Sequence, residues 1–119
     1  MLKKDLDLER KWVKLRERLK EVLGRKPADL KGVLFLIGVQ ELGRGYENFS
    51  KEEKQDLIHL GICKCLSFSG FYELEGTDAD GWPHWTLKKE LPHFDILEQE
   101  KLLKMHVLEY FTEEIGIIK

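Results

Sequence analysis

The stretch Leu30–Leu42, LKGVLFLIGVQEL, is apolar almost without interruption and around every side. A segment with no wet face belongs in the interior, so the rest of the chain has to cover it from several directions. Periodicity alone does not separate a buried helix from a buried strand in so short a run. The flanks point to helix. Pro27 stands where a first-turn proline is tolerated, Gln40, Glu41 and Leu42 carry the pattern past ordinary strand length, and Gly43 is a left-handed stop. The strand alternative has VLFLIGV running into Gly43, Arg44 and Gly45, as in a nucleotide-binding glycine turn. It lacks the third glycine, since position 48 is Asn, and no second buried strand follows to complete a βαβ unit.

Three more helices surround this one. Leu8, Trp12, Leu15, Leu19 and Val22 recur at alternating steps of four and three, a two-heptad seam that predicts a first helix over about 5–23, stopped by Gly24. The seam is too short for an independent coiled coil. Its expected partner is the central helix of its own chain, and Leu8, Trp12, Leu15 and Leu19 are the alternative candidates for contact with a second subunit. The central helix is expected over about 28–42. Ser50 followed by Glu53 is a capping box that opens a third helix over about 51–66. Gly38 and Gly61 lie inside the two most apolar helices, where each costs about 1 kcal/mol relative to Ala, so a close approach of the two backbones is expected there.

After Ser67 the period changes. Phe71–Glu75 and Trp82–Leu87 are aromatic-rich and separated by GTDADG, which predicts a hairpin over about 71–87 with Pro83 at an edge. Alternation would turn Tyr72, Leu74, Trp85 and Leu87 inward, and Glu73, Glu75, His84 and Thr86 outward. Asp95 with Glu98 opens a last helix over about 96–113. The tail after it, with Ile117 and Ile118, is apolar enough to dock on its own core or on a neighbour. The fold class that follows is mainly α: a four-helix bundle-like single domain over residues 1–119, with a short β-hairpin between the third and fourth helices.

Composition narrows the function classes. With 42% hydrophobic and 35% charged residues the chain is a folded domain rather than a disordered one, and its length allows one core. Lys3 and Lys4 are followed by acids, no secretory pattern is present, and no apolar run approaches the roughly 20 residues of a membrane span, so a cytoplasmic protein is expected. Cys63 and Cys65, two apart on a helix, read as small buried hydrophobes. Residues 1–26 carry a net +5 within a chain of net −2, so a basic first helix meets an acidic body, in its own chain or in another.

No motif here compels an enzymatic reading or a cofactor. The acids Glu73, Glu75, Asp78 and Asp80 crowd the hairpin, but a calcium loop centred on Gly81 would begin at Gly76 and end at Leu87, which cannot ligate. His59 and Cys63 are four apart and form a two-ligand metal pair, short of the four ligands of a structural site, so no metal is expected. Ser67 and Ser69 lack the preceding glycine of a nucleophile elbow. The order helix, helix, hairpin, helix matches a winged-helix DNA binder. Its reading helix would open KEEKQD and its wing would carry Asp78 and Asp80, which repel phosphates.

The segments FLIGVQELG and DGWPHW resemble those of a small bacterial family of mostly helical proteins with no assigned function, over about residues 30–111. The resemblance implies a free-standing bacterial protein and no activity, cofactor or site. The reading that follows is a non-enzymatic protein-interaction module acting as a homodimer. Its alternative is a small-ligand or metal-binding protein with Trp82, His84, Trp85 and His93 around a pocket at the hairpin.

Overall fold

The computed structural model describes residues 3–24, 26–27, 29–45, 47–93 and 95–117, with side chains from residue 6 onward. It contains α1 (Lys3–Leu23), α2 (Leu30–Leu42), α3 (Lys51–Ser67), β1 (Tyr72–Thr77), β2 (Pro83–Leu87) and α4 (Ile96–Glu109), continued by a π turn over Tyr110–Ile115. The protein is therefore mainly helical with a two-stranded antiparallel hairpin between α3 and α4, and the Leu30–Leu42 stretch is a helix. Two compact units divide the chain, one from residues 1–30 with 94–119 and one from residues 31–93. Among the described residues, no helix is long and apolar enough to cross a membrane.

In the first unit the middle of the α1 seam is buried within its own chain, while its last member, Val22, is 53% exposed. Leu15 is fully buried, and Trp12 and Leu19 are 5% and 3% exposed. Within that unit the seam meets α4. Lys104 of α4 pairs with Glu9 at 3.1 Å and lays its ammonium 5.3 Å from the centre of the Trp12 ring. Further along, Arg18 donates to the Ile117 carbonyl at 3.3 Å. Contacts at 9 with 104 and at 18 with 117 advance together, so α1 and α4 run side by side in the same direction. Trp12, Leu15 and Leu19 are thus spent inside the chain, and Leu8 is half-buried beside them.

The end of α4 departs from the single helix expected to residue 113. From Tyr110 the backbone widens into a π turn, closed by Gly116 at φ 74°, whose N–H reaches the Phe111 carbonyl. The extra residue per turn lets two sequence neighbours, Tyr110 and Phe111, both bury their rings, packed edge to face at 5.2 Å. Ile117 also donates its N–H to the Phe111 carbonyl and is half-buried; Ile118 lies outside the described residues.

In the second unit α2 buries Val33, Leu34, Ile37, Gly38 and Leu42 and stops at Gly43, φ 77°. Ser50 caps α3 as its sequence predicts: its hydroxyl accepts from the Glu53 N–H at 3.1 Å, and its own N–H donates to the Glu53 carboxylate at 2.9 Å. The two helices touch backbone to backbone. A Cβ added at Gly38 would overlap the Leu57 carbonyl, and one at Gly61 would overlap the Leu34 carbonyl. Both glycines are therefore kept for closeness, against their low helix propensity. Leu42, Phe49 and Leu57 form a buried cluster here, with Phe35, Val39 and Trp82 packed on it.

Candidate functional site

The hairpin is held by contacts among its own residues as well as by packing. Tyr72 pairs with Leu87, Glu73 with Thr86 and Leu74 with Trp85; the register then slips by one residue, so that Gly76 faces His84 and Thr77 faces Pro83. The unpaired residue is Glu75, a bulge that simple alternation misses. At the tip, Asp78 closes the turn with its own side chain. One carboxylate oxygen accepts from the N–H groups of Asp80 and Trp82, at 2.9 and 3.0 Å, and the other accepts from His84 Nε2 at 2.9 Å. The bond from His84 and the two backbone N–H groups hold the Asp78 carboxyl below its ordinary value.

The hairpin rests on α3. The Tyr72 ring sits edge-on to His59 at 6.3 Å, and Trp82 reaches the Leu42–Phe49–Leu57 cluster. Between α3 and the hairpin lies an open cavity of about 560 Å³. From the hairpin, Asp78, Trp82, Pro83, His84 and Trp85 line it; α3 contributes Glu53, Asp56, His59, Leu60 and Cys63. Of the residues the sequence suggested for a ligand, Trp82, His84 and Trp85 come together. His93 is exposed and is not part of the lining. His84, expected on the face opposite Trp85, lines the same cavity, because Asp78 draws its ring toward the tip. Leu74 and Leu87, expected inward, are about half exposed at 49% and 50%.

His59 and Cys63 also belong to this cavity, with Nε2 and Sγ 3.4 Å apart. Burial pushes the Cys63 thiol up to about 11, so it stays protonated at neutral pH and is a poor nucleophile. Desolvation, with a smaller contribution from Cys63, raises the Tyr72 phenol. Among the described residues, no group of three or more His, Cys, Asp and Glu has the geometry to hold a metal ion. The indole N–H of Trp85 is covered and has no hydrogen-bond partner among the described residues, while the Arg44 guanidinium lies 5.7 Å from the centre of the Trp82 ring.

Sequence reasoning left out Glu53, Asp56 and Leu60. Their signal was present: positions 53, 56, 60 and 63 are spaced three, four and three, which places them along one face of α3. No family model, curated protein or solved structure matches this chain.

Proposed function

We propose that this protein is a non-enzymatic binding module that holds a small ligand between α3 and the hairpin. One observation carries the reading: Trp82, His84 and Trp85, distant from His59 and Cys63 in sequence, share with them a single cavity whose volume falls in the range of small-molecule sites. The protonated thiol of Cys63 supports binding over covalent chemistry. A fragment screen followed through the indole N–H signals tests it. Hits are expected to shift Trp82 and Trp85 but leave Trp12, in the other unit, in place. Asp56→Trp, which fills the rim from an exposed position, is expected to abolish the shifts. A library that moves neither hairpin indole at millimolar concentration refutes the proposal.

A homodimeric interaction module is the second reading. Ile96, 83% exposed in the first turn of α4, and the opposite charges of the first 26 residues and the remainder favour it. Light scattering decides: a dimer that Ile96→Glu splits supports this reading, and a monomer at tens of micromolar ends it.

A further inference from the structure

The cavity between α3 and the hairpin carries charge of one sign. Among the described residues its lining holds three carboxylates, Glu53, Asp56 and Asp78, and no lysine or arginine. Glu53 accepts from the Ser50 N–H, and Asp78 from His84 and two backbone N–H groups, which hold both carboxyls below their ordinary values and keep them ionised. Asp56 is exposed and has no hydrogen bond or ion pair among the described residues. The partial positive charge at the start of α3 is outweighed by Glu52 and Glu53 in its first turn. Basic side chains around the site are engaged elsewhere. Arg44 pairs with Glu47 at 3.2 Å, Lys64 with Glu41 at 3.8 Å, and the Lys89 ammonium lies 4.6 Å from the centre of the Phe71 ring. Lys51 and Lys54 stand about 140° and 160° from Asp56 around α3, away from the cavity.

Two indoles stand beside these acids. The Trp85 N–H is covered, so this residue contributes its ring rather than a donor. Trp82 already takes a cation, since the Arg44 guanidinium lies 5.7 Å from the centre of its ring. Carboxylates next to aromatic rings suit an ammonium group, whose charge meets the acids while its apolar substituents meet the rings. A bare metal ion is a poor fit. Among the described residues no group of three or more His, Cys, Asp and Glu could hold one, and a cavity of about 560 Å³ has room for an organic molecule. Resting on the ligand-binding reading of this cavity, we infer that its ligand is a small organic cation, with an ammonium group beside Asp56 and an apolar body against Trp82 and Trp85.

Three probes of nearly equal shape, phenethylamine, phenethyl alcohol and phenylacetate, separate charge from fit. Each is titrated into the full chain at about pH 8, where an alkylamine is charged and an imidazole ordinarily neutral, and is followed through the indole N–H signals. Phenethylamine is expected to shift Trp82 and Trp85 but not Trp12, to bind at least about fivefold more tightly than the alcohol, and to weaken as salt rises. Phenylacetate is expected to move neither hairpin indole. Asp56→Asn should weaken the amine at least about threefold, and Asp56→Glu should retain it. Arg44→Gln, which removes the guanidinium beside Trp82, should tighten the amine about two- to fivefold, a gain that damage to the fold would not produce. Alcohol or phenylacetate binding as tightly as the amine overturns the inference and leaves a ligand site in place. An amine affinity that Asp56→Asn leaves unchanged also overturns it. So does silence of all three probes, and the fragment screen then decides separately whether the cavity binds any small molecule.

Discussion

Replacing Gly38 by Ala puts two terms of opposite sign in competition. The helix gains about 1 kcal/mol of intrinsic propensity when glycine becomes alanine. Against this, the new Cβ would overlap the Leu57 carbonyl oxygen and lie 2.7 Å from the carbonyl carbon and 3.0 Å from the Cα. Carbon contacts settle near 3.5–4.0 Å, so α2 and α3 have to separate locally by about 1 Å. The obstacle is backbone within a helix and cannot rotate aside as a side-chain tip would. Overpacking costs about 1–3 kcal/mol, and a backbone obstacle puts this site in the upper half of that range, for a net loss of about 1–2 kcal/mol. At Gly61 the neighbouring carbon and Cα of Leu34 are 3.1 and 3.4 Å away, so the loss there is smaller. The double variant loses less than the sum, because the separation forced by one methyl relieves the other. Urea melts measure this. For an m-value of about 1–3 kcal/mol/M, the Gly38→Ala midpoint falls by roughly 1 M with unchanged slope. If Gly38→Ala and Gly61→Ala both come out more stable than the parent, propensity has won and the close crossing is wrong.

Three further outcomes follow from other contacts. Because the Asp78 carboxyl is lowered from 3.8 in the folded chain, its contribution to hairpin stability is complete above that value and is lost as pH falls through the lower folded value. Amide exchange or chemical shifts at the hairpin tip should report this loss in acid, and Asp78→Ala should remove the pH dependence. Cys63 and Cys65, 1% and 0% exposed, should resist a thiol reagent at neutral pH until denaturant is added, and rapid labelling of the native chain would contradict their burial. Ser50→Ala removes the acceptor of the Glu53 N–H and should cost about 1 kcal/mol in a denaturant melt; a cost near zero would mean that water replaces the cap.

What the sequence determined by itself was chiefly helix boundaries, which neighbours within about one helical turn govern. Ser50 with Glu53, and Asp95 with Glu98, set helix starts because each cap is completed three residues away. Gly24 and Gly43 set helix ends because both are left-handed, at φ 82° and 77°. The close crossing was legible in Gly38 and Gly61, since a glycine inside an apolar helix costs stability that only a neighbour's closeness offsets. In the candidate site, Trp82, His84 and Trp85 are readable from the aromatic hairpin and share the cavity, whereas His93 stands outside its lining. Tertiary structure decided the rest. Burying Tyr110 and Phe111 together bends the end of α4 into a π turn, and the slip at Glu75 appears only when two strands are paired. The seam of α1 faces α4, and the cavity joins residue 53 to residue 85, because these contacts close long loops. Their free energy comes from surfaces that meet only after folding, and no periodicity within one segment records which surface that will be.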